Sequence, residues 1–423
     1  MIIVFVLMMT SLLISQSFMD LMSFVVILVS LWAWKQDTLI EGRRFQLSRI
    51  GLEKLWITWI LVFAIGLALA PYTAKELSVN SSPFLRRLAY LTELKWIINF
   101  YFFIWFFEWL RPWNFLEKKK ANPWTWIWGA LLITSIYGLI GWIFDFDLIK
   151  QLPLSDHDRV GGLFDDPMTF AHVYSLFFIL AFFVSLQKYL GQKKDWLLIF
   201  AIACSGLAVF LSMTRGVWVG IFIAFLISLF LYRRKFGVIF LASSGGLFVL
   251  LFSLWFKFQE RVLFAFNAAN NYDSERIWLW TANWKIFLDH PVFGIGYGMY
   301  KWRLREYFDL IGAPIEQFQS HAHNQYLHFL AGTGILGLLC FLFFAGFNLW
   351  QSWKLILFTS SRTIFIKGLA YGLMAAQISF LIAGATESNF ERAKVRWTYL
   401  IFAALATAAV RTMKVNAGQA TTR

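Results

Sequence analysis

Two histidines stand one residue apart in the run His321, Ala322, His323, Asn324, Gln325, which opens a long apolar stretch holding Gly332, Gly334 and Gly337. Imidazole is the side chain best matched to proton transfer near neutral pH, and at a membrane helix start it meets both a lipid-borne substrate and water. A histidine there can also simply cap or anchor the helix, yet ionisable residues at membrane depth are functional candidates by default. The glycines further in are expected to allow close helix packing. Three arginines break the charge pattern of the loops around them. Arg215 lies in the tight turn from Ser212 to Gly216, Arg276 follows Ser274 and Glu275, and Arg159 opens a run that ends in Asp165, Asp166 and Pro167. Guanidinium forks match phosphate oxygens geometrically, so an anionic substrate is the expectation. Structural pairing competes with it: Glu275 could neutralise Arg276, and Asp158 or Asp165 could neutralise Arg159, whereas Arg215 has no acidic neighbour in sequence. Lys75, Arg86 and Arg87 are further candidates for phosphate or acceptor contacts, with ordinary headgroup contact as the alternative. His157 and His172 lack metal-ligand spacing and no serine occupies a strand-turn-helix elbow, so no metal or cofactor is implied. His290 and His328 are read as structural.

Membrane helices must position these residues. Of the 423 residues, 59% are hydrophobic and 20% aromatic, with a mean hydropathy of +0.62, which is more apolar surface than a soluble domain can hide. Crossing the hydrocarbon takes roughly 17 to 25 residues of helix. The expected fold is therefore an all-α polytopic membrane protein of about twelve transmembrane helices, at 2–17, 19–34, 56–71, 95–110, 124–144, 167–187, 196–213, 216–232, 237–256, 323–350, 364–385 and 396–411. The first run lacks a basic leader and a cleavage site, so it is read as a retained helix. Lysine and arginine total 38 against 24 acidic residues, a formal charge of +14. The excess falls in short loops on one alternating side, including Arg43, Arg44, Lys118, Lys119, Lys193, Arg233, Arg234 and Arg411. Short basic loops mark the cytoplasmic side, so both termini are expected there and nucleic acid is not implied. The segment 257–322 is then a large outward loop, with two amphipathic helices at 274–289 and 298–311 lying on the membrane surface. Tryptophans at run ends, among them Trp56, Trp96, Trp113, Trp124 and Trp196, are expected as interfacial anchors. Cys204 and Cys340 lie inside apolar runs and suggest neither a disulfide nor a metal pair.

With these residues in view, the chain resembles the bacterial O-antigen ligase and polymerase superfamily of membrane glycosyltransferases. His323 and Asn324, nine residues from Gln325 to Thr333, then Gly334, Ile335, Leu336 and Gly337 carry the resemblance. Thr214, Arg215 and Gly216 are similar to the family's outer-turn arginine. Ser274, Glu275 and Arg276, with Trp280 and the run from Pro291 to Gly296, look like the arginine helix and glycine signature of its large periplasmic loop. The resemblance covers roughly residues 155–340, and the N-terminal third matches only in hydropathy. It implies a GT-C-like fold in the bacterial inner membrane and a periplasmic active site. It also implies transfer of a glycan from undecaprenyl diphosphate to a lipid A-core hydroxyl, without metal or nucleotide sugar. On that reading His323 is the general base, His321 orients it or shares the role, and Arg215, Arg276, Arg159 and Lys75 bind the diphosphate. A polymerase or protein O-oligosaccharyltransferase would share the fold and arginines. A non-catalytic transporter would place its charged or broken helical positions near mid-membrane.

Overall fold

Helix after helix forms here because long apolar runs must satisfy their own backbone polar groups in lipid. The structure is a computed structural model that describes residues 1–40, 51–69, 94–116, 122–154, 158–164, 166–191, 194–256, 259–260, 263, 271–297, 300–359 and 364–420. Among them are fourteen α-helices: α1 (Ile2–Ile14), α2 (Gln16–Ile40), α3 (Glu53–Leu69), α4 (Lys95–Leu110), α5 (Pro123–Phe144), α6 (Pro167–Leu190), α7 (Trp196–Leu211), α8 (Arg215–Tyr232), α9 (Arg234–Leu254), α10 (Asn271–Asp289), α11 (Tyr300–Leu310), α12 (Gln325–Thr359), α13 (Ile364–Ala383) and α14 (Ala393–Ala420). The chain is thus an all-α polytopic membrane protein. A helix stands at each of the twelve expected spans, but eight are long and apolar enough to cross a bilayer: α2, α5, α6, α8, α9, α12, α13 and α14. The others are shorter; α1 has 13 residues, α4 and α7 have 16 each, and α3 has 17.

Side-chain caps set several helix starts. Asn122 Oδ1 accepts from Trp124 N–H at 3.1 Å ahead of α5, with Pro123 in the first helical position. Asp166 does the same for α6, taking Met168 N–H at 2.9 Å and Thr169 N–H at 3.2 Å, and Asp195 accepts from Leu198 N–H at 3.2 Å to start α7. Each cap satisfies amides that the first helical turn leaves without partners.

α13 lies at the centre, packed against α6, α8 and α12, while α14 packs against α4 and α12. Trp56, Trp96, Trp113 and Trp124 are buried inside this bundle and not at a lipid surface. They join aromatic clusters, Trp56 stacking on Trp59 at 5.9 Å between centroids and Trp124 on Trp128 at 5.6 Å; large aromatic faces fill gaps between helices as readily as they anchor at headgroups. Trp196 differs from them in being 61% exposed.

α10 and α11 form a second, smaller core from Leu279, Ile286, Ile295, Tyr300, Leu304 and Phe308. α10 docks on α12. The joint between them is a break in α12 at Gly334, whose φ of 65° and ψ of −170° are not helical. The break frees two amides, and the loop after α10 takes them: Ile335 N–H donates to Pro291 O at 2.9 Å and Leu336 N–H to Val292 O at 3.4 Å. In return Ile295 N–H donates to Ala331 O at 3.0 Å. Any Cβ on Gly334 would run into the Val292 backbone. This glycine therefore serves a backbone insertion and not the packing of a second membrane helix.

Candidate active site

The candidate residues gather at the end of the bundle where α6, α8, α12 and α14 begin and α13 ends. Asn324 organises the entry to α12. Its Oδ1 accepts from Tyr326 and Leu327 N–H, both at 3.0 Å, and its Nδ2 donates to Ala385 O at 3.0 Å in the loop between α13 and α14. Gln325 N–H donates to Gly384 O at 2.7 Å, and Gln325 Oε1 takes the Phe390 amide. The pair after His323 thus clamps the 384–392 loop against the histidine segment.

That loop supplies a residue the sequence reading missed. Glu387, 3% exposed in its side chain, accepts from His323 Nδ1 at 3.0 Å, and its other oxygen lies 3.6 Å from His321 Nε2 and 3.5 Å from Arg392 Nη2. A proton on His323 Nδ1 for Glu387 leaves Nε2 as the nitrogen with a free lone pair, an arrangement that fixes the tautomer and the ring's orientation. Burial works to raise the Glu387 carboxyl, but the His323 hydrogen bond and the Arg392 guanidinium outweigh it and hold it well below the ordinary carboxylate range. Burial also pushes His321 down from 6.5 to about 4, helped by His323, so it is neutral at pH 7. The two rings lie 4.2 Å apart. His323 has a φ of 47°, a left-handed conformation uncommon for a residue with a side chain and concentrated at functional sites.

Arg392 links this centre to α6. It pairs with Asp166 and donates to Thr169 Oγ1 at 2.9 Å. Asp166, the cap of α6, is pushed up by burial but held below its usual range by Arg392 and its hydrogen bonds. His328 Nε2 lies 3.1 Å from Glu391 Oε2, so a second buried histidine meets the same loop from one turn further along α12. His172 stays inside α6 with Nδ1 2.7 Å from Met168 O, and His290 caps the far end of α10; neither joins the pair at Glu387.

The arginines converge on the same end by separate routes. Arg215 is the first residue of α8, where the helix dipole adds positive potential. Gly216 abuts Thr386, the neighbour of Glu387, so closely that a Cβ would meet its hydroxyl. Arg159 holds the Arg215 turn in place: its Nε donates to Ser212 O at 2.8 Å and its Nη2 to Thr214 Oγ1 at 3.1 Å. Trp280 Nε1 donates to Ala322 O, between the two histidines, at 3.0 Å. Arg276 is four residues before Trp280 on α10, on the same helix face and one turn away. Lys75, Arg86, Arg87 and His157 lie outside the described residues.

One ligand atom each from His321, His323 and Glu387 fall within 4.8 Å of one another, a spacing that could hold a metal ion. No sequence spacing announced this trio. The geometry favours a hydrogen-bonded pair, because Glu387 is already engaged by His323 Nδ1 and compensated by a guanidinium 3.5 Å away; a dication would have to displace the first and sit against the second.

Residues 199–342 match the family model described as O-Antigen ligase. The match runs from α7 into α12 and takes in Arg215, Arg276, His321 and His323, so this stretch of the chain is similar to that family. Glu387, Arg392 and Asp166 fall outside the matched stretch. No curated protein matches the chain.

Proposed function

We propose that the chain is an O-antigen ligase of the bacterial inner membrane, transferring a glycan from undecaprenyl diphosphate to a hydroxyl of lipid A-core. The observation that carries the reading is His323 held by Glu387 at 3.0 Å at one end of a membrane bundle, where Arg215 opens α8 next to the Gly216–Thr386 contact and Arg276 lies one turn before the Trp280 that holds Ala322. His323 Nε2 takes the proton of the acceptor hydroxyl as its oxygen attacks the anomeric carbon. The carbon–oxygen bond to the diphosphate breaks, both electrons leave with the diphosphate, and the anomeric centre inverts. Charge developing on the leaving group meets fixed cations, Arg215 at the positive end of α8 and Arg276 on α10, which need no reorganisation as the reaction proceeds. His321, neutral at pH 7, packs on His323 and orients it.

Orientation follows from charge. Lys188, Arg233, Arg234, Lys354 and Arg411 sit near the helix ends away from Glu387, so the positive-inside rule puts that far end, with both termini, in the cytoplasm and the site in the periplasm. A transporter would instead bring charged groups to the bundle's middle. Deleting the gene and staining lipopolysaccharide tests the reaction. A ligase leaves lipid-linked polymer intact and lipid A-core bare; single-unit caps on the core would indicate a polymerase and overturn the reading.

A further inference from the structure

A cavity of about 170 Å³ opens next to the Arg215 turn, beneath the small hairpin Phe146–Asp147 and Leu152–Pro153. Asp147, Lys150, Leu154, Arg159, Gly161 and Phe164 are among its walls. Arg159 reaches from this wall to Ser212 and Thr214, so a ligand touching its guanidinium is tied through one turn to Arg215. Lys150 pairs with Asp147 Oδ2 at 3.7 Å with 43% of its side chain exposed, a long and wet contact that a stronger anion replaces at little cost. Asp147 directs its Oδ1 elsewhere, accepting from Tyr137 Oη at 2.5 Å and from the amides of Ile149 at 3.0 Å and Lys150 at 2.9 Å. Among the described residues that line it, the cavity carries two cations, Lys150 and Arg159, and one carboxylate, Asp147, whose Oδ1 is already engaged. Leu152 of its wall is exposed, and so are Phe144, Phe146, Leu148 and Ile149 on and leading into the same hairpin. Pockets that take whole ligands run to about 300–1,000 Å³, so a space of about 170 Å³ suits a charged head group and not a glycan.

We propose that this cavity seats the diphosphate head of a polyprenyl-linked substrate arriving from the bilayer, with the isoprenoid tail along the apolar hairpin rim. The inference rests on the lipid-diphosphate donor proposed above and adds Lys150, the hairpin and an entry point to it. Its test is equilibrium binding of a labelled short-chain polyprenyl diphosphate to purified protein in nanodiscs of neutral lipid. Lys150→Glu should weaken binding about tenfold by reversing a charge at the seat, and Leu154→Trp should weaken it comparably by filling the space without changing charge. Polyprenyl monophosphate should bind less well than the diphosphate, and inorganic pyrophosphate, lacking a tail, should displace the probe only in large excess. Wild-type affinity in both variants, with thermal melting unchanged, overturns the cavity assignment and leaves the donor reading standing. Pyrophosphate competing as well as the lipid overturns the rim. No binding of polyprenyl diphosphate by the wild type overturns the donor reading as well.

Discussion

Replacing Glu387 by Gln keeps the shape of the side chain and removes its charge. The carboxylate accepts from His323 Nδ1 at 3.0 Å and from Ser388 N–H at 3.0 Å, with Arg392 Nη2 3.5 Å away. A hydrogen bond to a charged group contributes about 1.5–3 kcal/mol, and each ~1.4 kcal/mol is a decade in rate, so losing the charged hydrogen bond that orients the ring predicts at least about a tenfold fall. General-base catalysis as a whole is worth roughly 10²–10⁴, which sets the upper bound. kcat for Glu387→Gln should therefore drop between about ten-fold and 10⁴-fold, while KM for the donor should change little if, as proposed, the arginines and not Glu387 meet the diphosphate. Arg392 keeps Asp166 and Thr169 as partners, so the variant should still fold. Steady-state transfer from a defined lipid-linked donor to a defined acceptor, on protein that elutes as the wild type does, is the assay. Should Glu387→Gln retain kcat within about threefold of wild type, the carboxylate does not act through His323 and the pairing is structural.

Three other outcomes test the surrounding structure. Gly334→Ala forces a side chain into the Val292 backbone at a φ of +65°, so folded yield should collapse, whereas Gly245→Ala, with nothing within 4 Å, should express normally; detergent-solubilised yield by size exclusion compares them. His321 sits at about 4 when folded against 6.5 when unfolded, so the unfolded chain takes the proton first and stability should fall as pH drops from 6.5 towards 4. Glu387, held below its ordinary 4.5, extends the loss further into acid; a melting temperature flat between pH 7 and 4 would contradict the His321 shift, and one flat below pH 4 the Glu387 shift. Exhaustive chelation should leave transfer unchanged if His321, His323 and Glu387 work as a hydrogen-bonded group; loss of activity restored by a divalent cation would make them metal ligands.

Hydropathy made the helices legible because lipid demands unbroken apolar runs, and a helix stands at every expected span as well as at the two amphipathic segments of the outer loop. His323, Arg215 and Arg276 stood out as candidates because each is unusual where it stands. Glu387 was not, since it meets His323 across 64 residues and a lone glutamate in a short loop has many ordinary explanations. A signal did exist: Glu387, Glu391 and Arg392 crowd between two strongly apolar helices, more charge than a short turn needs. Gly334 was visible as a glycine, but whether it admits a neighbouring helix or an inserted strand of loop depends on the partner, the run from Pro291 to Ile295. Trp56, Trp96, Trp113 and Trp124 misled because run ends identify depth in the membrane and not which way a ring faces.

Purified protein given a polyprenyl-diphosphate-linked glycan and lipid A-core addresses the central claim most directly. The wild type should form the linked product and release polyprenyl diphosphate, His323→Ala should form none while still inserting and binding donor, and Arg215→Lys should fail almost as completely as Arg215→Ala because an ammonium lacks the two-pronged fork. Full transfer by His323→Ala would contradict the account.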